Sequence, residues 1–498
     1  MTRYYDLRAT MRGLALVGLI LASLTVPGRP ATFEIDPDTT AGRQNLSEGI
    51  VTAGQAINSG KFRIAAEAAR AETQKRPNDP LAWHLYGIAL ANLDQVQPAI
   101  EALKVAASFY QENAEPFIII GELHLLQGDR AAAREVFEQA TTRDPSDWRG
   151  HESLGRLADD ANDIAAAIGH FTQATRTMPD TQWPVRARLA ALLRATDQPD
   201  KALDVLKGAD AATQPMLATE TARTLVTLDK AADAIDHLRA ATTEPDAPND
   251  ARLLLGELLA STGDLTGAEE AYRDLVAAAP DSPLSYQRYA SALAAQARYD
   301  AASTQFALGL DKAPQSFDLL RGATVNEVRR GDLNAATTLA TRLADAHDQS
   351  ASAHMMLAWV HEQAERPQAA EAAYGAALNA DPENAGALNN LAALFVKQDR
   401  AEEALPLARK AVEVAPEMAF AWHTLGEARL ALGDSAQASA DLAQAVNLRP
   451  GHAVYLFDLG VALTQAGQTD AGRKSLQDSL ALGLDAERAE RAEALLSQ

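Results

Sequence analysis

The sequence predicts an all-α fold, a solenoid of stacked helix-turn-helix hairpins. The main observation is a unit of 34 residues that recurs thirteen times between Leu46 and about Ala486. The chain of 498 residues also contains 106 alanines, whereas aromatic residues make up only 5%. Alanine favours helix, and small side chains let two helices approach closely. A repeat of this length built from helix formers indicates hairpins that stack one after another.

The N-terminal segment, residues 1–28, differs in composition from the rest of the chain. Three arginines precede an uncharged stretch at residues 13–28, which is the pattern of a secretory signal peptide. The stretch is shorter than the roughly 20 apolar residues that usually span a bilayer, which favours cleavage. An uncleaved N-terminal membrane anchor is the alternative. Residues 29–45 are polar, have no helical period and are predicted to form a tether.

Within the repeats, residues 46–484, two columns of small side chains set the register. With Leu46 as position one, the eighth position is Gly or Ala in twelve of thirteen repeats, and Thr324 is the exception. The twentieth position is Ala in every repeat except the last, where it is Gly472. The twenty-fourth position is often aromatic, as at Tyr374. We expect the small residues to lie where the two helices of a hairpin cross, with large side chains filling the space between hairpins.

Proline and glycine mark the helix ends. Eight repeats have Pro at position thirty-two, where it ends the second helix, and six have Gly at position fifteen, in the turn inside the hairpin. With segments such as Trp422–Gly426 (WHTLG), Gly433, Ala438 and Pro450, the chain resembles the tetratricopeptide repeat family. The resemblance implies a right-handed superhelix whose concave face, lined by the first helices, holds segments of partner proteins.

The last stretch, residues 485–498, is predicted to be a capping helix. Asp485 is suited to start it, charged residues dominate its middle, and Leu495 and Leu496 are apolar. A solenoid needs such an end because its final hairpin would otherwise leave an apolar face in water.

The composition excludes several classes of function. The formal net charge is −22, and a chain this acidic would repel the phosphates of a nucleic acid. The absence of cysteine excludes disulfides, thiolate metal sites and a cysteine nucleophile. The sequence contains no phosphate-binding loop, no H-E-x-x-H zinc motif and no nucleophile elbow. We therefore predict a protein that is not an enzyme and has no catalytic residue, cofactor or metal ion.

The main candidate site lies on the first helices of the tenth to twelfth repeats, at positions that the hairpins do not need for packing. Its residues are Met355, Met356, Trp359, Asn389, Asn390 and His423. Met adapts to irregular partners, Trp is a frequent interface anchor, and Asn can donate to and accept from an extended backbone. We expect a groove that binds a partner segment. The alternative is that neighbouring parts of the solenoid bury this patch.

A secondary polar groove is predicted on the first helices of the fourth to sixth repeats. Its residues are Arg149, Glu152, Arg156, Arg188 and Arg223. An arginine fork binds a carboxylate through two parallel hydrogen bonds, so this surface would suit a partner that carries carboxylates. The alternative is an ordinary solvated face of mixed charge.

Together these features predict a non-enzymatic cell-envelope scaffold that binds segments of other envelope or secreted proteins. We expect the protein to be periplasmic or secreted, or tethered to the inner membrane by residues 13–28, and to bind no nucleic acid. The alternative function is a spacer or assembly component of a polysaccharide or appendage export apparatus. That function resembles the use of long repeat solenoids as links between a membrane synthase and an outer pore.

Overall fold

The computed structural model describes residues 46–179, 182–208, 215–243 and 247–497. The predicted signal or anchor segment and the tether lie outside these residues. Within the described ranges the chain forms 27 α-helices and no strand, so the predicted all-α repeat solenoid is confirmed. None of the helices in this part of the chain is long and apolar enough to cross a membrane.

The helices pair into successive hairpins that belong to two compact units, Met1–Leu255 and Gly256–Gln498. The hairpins of the first unit are α1 Glu48–Asn58 with α2 Phe62–Lys75, α3 Pro80–Asn92 with α4 Val96–Phe109, α5 Glu115–Leu126 with α6 Arg130–Arg143, α7 Trp148–Asp160 with α8 Ile164–Thr177, α9 Trp183–Ala195 with α10 Pro199–Leu206, and α11 Pro215–Thr227 with α12 Ala231–Ala241.

The seventh hairpin consists of α13 Asn249–Ser261, in which the division between the units falls, and α14 Leu265–Ala278. The remaining elements of the second unit are α15 Pro283–Ala295 with α16 Tyr299–Lys312, α17 Phe317–Arg330 with α18 Leu333–Ala346, α19 Ala351–Gln363 with α20 Pro367–Ala380, α21 Ala385–Lys397 with α22 Ala401–Val414, α23 Ala419–Ala431 with α24 Ser435–Leu448, α25 Ala453–Gln465 with α26 Thr469–Leu482, and the final helix α27 Ala486–Leu496.

The two helices of a hairpin cross at the small residues of the eighth and twentieth positions. A methyl group added at Gly121 would collide with the ring of Phe137, the residue at position twenty-four of the same hairpin. In the ninth hairpin Thr324 takes the eighth position, and the residue at position twenty-four is Ala340; both are fully buried. A larger residue in one column is therefore matched by a smaller residue in the other, which explains the exception in the eighth column.

The turn inside each hairpin contains one residue in the left-handed backbone region, always at position fifteen. Six of these residues are the predicted glycines, and the other seven are Asp94, Asn162, Asp197, Asp229, Ala297, Glu365 and Asp399, with φ between 54° and 60°. Asp and Asn tolerate this conformation, whereas Ala and Glu adopt it at a cost. The geometry of the hairpin turn therefore outweighs the preference of the individual residue.

The final helix α27 packs on the thirteenth hairpin. Asp485 precedes it and accepts a hydrogen bond from the backbone N–H of Arg488 at 3.0 Å. Ala492 is fully buried in a cluster with Phe457 and Leu476. The helix thus covers apolar side chains of the last hairpin, as the end of a repeat array requires.

Candidate partner-binding site

Several neighbouring first helices of the second unit are in contact. Contacts join α15 to α17, α17 to α19, α21 to α23, and α23 to α25. The surface that we call the first-helix face lies on α19, α21, α23 and α25. It is formed by Met355, Met356, Trp359, Glu362, Asn389, Asn390, His423, Glu427 and Asp458. All six residues of the main predicted site belong to this face.

Trp359 is half-buried on α19. Its side chain packs against the cluster that contains Ala336 and Ala340 of α18. Its indole N–H finds no acceptor among the described residues, whereas the indoles of Trp83 and Trp422 each donate to a proline carbonyl at 2.7 Å. The buried side-chain nitrogen and oxygen atoms that lack a partner among the described residues do not include this nitrogen, so it is open to solvent. Trp359 therefore offers both apolar surface and an unused donor.

The two methionines are half-buried as well. Met355 packs against the cluster of Ala377 and Ala387, and its methyl group lies close to Gly386. Met356 packs against the cluster that contains Leu320. Neighbouring hairpins thus cover part of the patch, and the rest of the patch stays open.

The two asparagines belong to a hydrogen-bonded chain. The side-chain amide of Asn389 donates to Asn390 at 3.2 Å, and Asn390 lies near enough to the hydroxyl of Tyr374 to lower its pKa slightly. That hydroxyl donates to Glu362 at 2.6 Å. Asn389 is only 5% exposed, and its carbonyl oxygen is buried without a hydrogen-bond partner among the described residues. An unpaired buried acceptor of this kind costs about 1–3 kcal/mol.

His423 lies between two carboxylates. Its Nε2 is 2.7 Å from Asp458 Oδ2 of α25, and its Nδ1 is 3.4 Å from Glu427 Oε2, one turn further along α23. The imidazole also stacks on the ring of Tyr455, with the ring centroids 4.6 Å apart. The ring is therefore held from three directions.

The electrostatics of this cluster follow from burial and charge. Burial by itself would lower the pKa of His423, but the hydrogen bond to Asp458 and the charge of Glu427 together raise it above the ordinary value. Burial raises the pKa of Glu427, and the like charge of Asp458 adds to that effect. The carboxylates thus favour a positive charge between them.

Sequence reasoning named His423 and missed Glu427 and Asp458. Glu427 stands at the ninth position of the twelfth repeat, which is the column that identified Trp359. Asp458 stands at the sixth position of the thirteenth repeat, which is the column that identified Met356. Extending those columns to the end of the chain would have found both carboxylates. Their contact with His423 depends on the spacing of α23 and α25, which no local pattern reports.

The residues of the secondary polar groove lie in ion pairs within the chain. The closest contacts are Arg149 with Asp147 (2.6 Å), Arg156 with Glu122 (2.6 Å) and Glu152 (2.9 Å), Arg188 with Asp159 (2.5 Å), and Arg223 with Glu220 (2.6 Å). Two of these pairs, Arg156 with Glu122 and Arg188 with Asp159, join successive first helices. A carboxylate of a partner would have to displace one of these internal carboxylates, so the six residues on α19, α21 and α23 are the better candidate site.

One curated protein similar to this chain is cellulose synthase operon protein C of Xanthomonas axonopodis pv. citri (strain 306). The two sequences are 30% identical over 278 residues. The match covers 52% of this chain and 18% of the Xanthomonas protein, so the chain spans less than a fifth of that protein's length.

Solved structures similar to this chain include the APC/C hetero-tetramer Cut9–Hcn1, with 14% identity, a TM-score of 0.39 and coverage of 90% of this chain and 95% of the other. Another is a tetratricopeptide repeat protein from Parabacteroides merdae ATCC 43184, with 15% identity and a TM-score of 0.40. The match covers 50% of this chain and 99% of the Parabacteroides chain.

The tetratricopeptide repeat family model matches residues 55–114, 120–180, 219–283, 326–374, 357–419 and 423–488. These matches extend over more than half of the chain and fall on the hairpins described above. The chain therefore belongs to the tetratricopeptide repeat family, as its sequence predicts.

Proposed function

We propose that the protein is a non-enzymatic scaffold that binds an extended segment of a partner protein on the first-helix face of the tenth to twelfth hairpins. Membership of the tetratricopeptide repeat family supports a scaffold for protein–protein interaction. The observation that carries the proposed position is the unused indole N–H of Trp359, which contrasts with the paired indoles of Trp83 and Trp422.

The surroundings of Trp359 suit such a segment. The two half-buried methionines offer flexible apolar contact on the same helix, which allows an irregular side chain of the partner to fit. Asn390 accepts a hydrogen bond from Asn389. The unpaired oxygen of Asn389 needs a donor, and a backbone N–H of the partner would satisfy it after a small rotation of the amide. His423 extends the polar part of the face toward the C-terminus.

The test compares two half-buried tryptophans. Trp359→Ala removes the proposed anchor, and Trp422→Ala removes a half-buried indole whose N–H already donates to Pro416. We expect both variants to melt at a lower temperature because both lose packing. Only Trp359→Ala should weaken recovery of the native partner, by about 2 kcal/mol or roughly 30-fold in affinity.

Affinity purification of the tagged chain from its own cells, followed by a binding titration with the recovered partner, gives the measurement. Equal affinity of Trp359→Ala and wild type would remove this site from consideration. Equal weakening by Trp359→Ala and Trp422→Ala would show that the loss reflects stability and not contact.

We place the scaffold in the cell envelope, with its C-terminal part outside the cytoplasm. The arginines before the uncharged stretch at residues 13–28 support this location, and so does the similarity to the cellulose synthase operon protein. A reporter enzyme fused after Gln498 should be active outside the cytoplasm, and removal of residues 1–28 should retain it inside. Activity of the full-length fusion in the cytoplasm would contradict the location.

A second candidate function is a component of a polysaccharide export assembly. The similarity to cellulose synthase operon protein C supports it. Genes for a glycosyltransferase and an outer-membrane pore beside this gene would favour it, and deletion of the gene should then abolish secretion of the polymer. Normal secretion in the deletion strain would favour the general scaffold.

A further inference from the structure

We propose that His423, Glu427 and Asp458 form a binding site for a divalent transition-metal ion of the Zn²⁺ type. In this site His423 Nδ1 and a carboxylate oxygen of Glu427 bind the ion. Asp458 accepts the N–H at Nε2 and holds the imidazole in the required tautomer. The proposal goes beyond the partner-binding function and does not depend on it.

The spacing of the ligands supports the site. His423 and Glu427 are four residues apart on α23, so both side chains project from the same side of one helical turn. Their nearest ligand atoms are 3.4 Å apart, which is long for a strong hydrogen bond. Two ligands that bind one tetrahedral zinc ion at ordinary bond lengths lie roughly 3.3 Å apart. The side chains are therefore already separated by the distance that an ion between them requires.

Asp458 supplies the supporting contact that metal-binding histidines usually have. Its Oδ2 lies 2.7 Å from the other ring nitrogen of His423. A carboxylate in this position fixes the ring and makes the free nitrogen a stronger ligand. The stack on Tyr455 restrains the ring further. Each of the three residues offers one possible ligand atom, and these three atoms all lie within 4.8 Å of one another.

The charge of the cluster also favours a cation. Two carboxylates stand around a single imidazole, and their side chains are only 17% and 32% exposed. In the part of the chain that the structure describes, no Lys or Arg forms an ion pair with Glu427 or Asp458; Arg488, one of the nearest basic groups, is paired with Asp485. A divalent ion would balance the excess negative charge in this partly desolvated place. Water or a partner side chain would complete its coordination.

Zn²⁺ titration of the full chain against a chromophoric chelator tests the proposal. We expect one saturable equivalent for the wild type. Glu427→Gln, which keeps the shape of the side chain, should weaken this binding at least tenfold. Asp458→Asn should weaken it by about 10- to 100-fold, as loss of a supporting carboxylate does. His354→Gln is the control because His354 is bonded to the backbone oxygen of Asp348 and lies outside the cluster.

Folding is checked independently by circular dichroism and by melting with and without Zn²⁺. The ion should raise the melting temperature of the wild type and of His354→Gln, but not that of Glu427→Gln. The proposal is wrong if the wild type shows no saturable binding, or if Glu427→Gln binds Zn²⁺ as tightly as the wild type. The cluster would then be an ion-paired imidazole only. Neither result changes the expectation for Trp359→Ala, so the two proposals fail separately.

Discussion

Tyr374 donates its hydroxyl hydrogen to Glu362 across 2.6 Å, and this bond joins the two helices of the tenth hairpin directly beside the first-helix face. The ring of Tyr374 is buried. Burial and the carboxylate of Glu362 both raise the pKa of the hydroxyl well above its ordinary value, so it stays protonated at neutral pH. The same hydroxyl lies close to Asn390 and interacts with it, so it connects two residues of the face.

Replacement of this hydroxyl should affect both stability and binding. Tyr374→Phe should cost about 1–2 kcal/mol because Glu362 loses a donor that only water can replace. The affinity for the partner should also fall because Asn390 loses its interaction with the hydroxyl. Tyr272→Phe, at the equivalent position of the seventh hairpin, is the control, since its hydroxyl has no partner among the described residues. Unchanged stability and affinity of Tyr374→Phe would show that the bond has no role.

The left-handed turn residues allow a stabilising substitution. Ala297 has φ of 57° and is exposed in its turn, and Gly263 occupies the equivalent position one hairpin earlier. Ala297→Gly should stabilise the second unit by up to about 1 kcal/mol, because relief of the left-handed strain exceeds the entropy lost with glycine. Gly263→Ala should destabilise by a similar amount. Chemical unfolding of both variants checks the pair, and destabilisation by Ala297→Gly would contradict the reasoning.

Overpacking at the helix crossing should have a local effect. Ala302 is fully buried where α16 crosses α15, and Ala302→Leu should cost roughly 1–3 kcal/mol. Repeats contact only their neighbours, so hydrogen exchange should quicken first in the eighth hairpin and those adjacent to it. Ala307→Leu adds the same side chain at an exposed position of the same helix and should have little effect. Uniform loss of protection along the chain would argue against a linear array.

His84 should make the second hairpin sensitive to acid. Burial lowers its pKa below the ordinary 6.5, the nearby Glu115 opposes this shift, and Arg149 adds to it. The unfolded chain therefore binds a proton near pH 6.5 that the folded chain excludes, so stability falls as the pH drops below that value. Hydrogen exchange of α3, corrected for the intrinsic rate, should show weaker protection at pH 5 than at pH 7. His84→Gln should reduce this difference, and an unchanged difference would exclude His84 as its cause.

The fold was predictable from the sequence because each hairpin repeats the same local signals. Pro199 and Pro367 are the first residues of their second helices, where the missing backbone donor does no harm. Glycine at position fifteen identified only six of the thirteen turns, because Asp, Asn, Ala and Glu also take the left-handed conformation when the hairpin requires it. The structure thus repeats more regularly than the sequence does.

The sequence predicts which helices carry the candidate residues but not how deeply those residues are buried. The columns of the repeat place Trp359 and Asn389 on first helices, where the structure also has them. Their burial depends on neighbours in other hairpins, such as Ala336 beside Trp359, and a column of one repeat contains no information about that contact. The bond between His423 and Asp458 joins residues 35 positions apart. Only the packing of α23 against α25 brings them together.

The proposed function requires that a partner segment lies on the first-helix face of the tenth to twelfth hairpins. The most direct measurement is photo-cross-linking in the cells that make the protein, with p-benzoylphenylalanine placed at Met356 on α19 or, as the matched control, at the exposed Asn379 on α20 of the same hairpin. We expect one dominant cross-linked partner protein from position 356, its loss when Trp359→Ala is added, and no such product from position 379. A partner that cross-links equally from both positions, or only from position 379, would show that the first-helix face is not the binding surface.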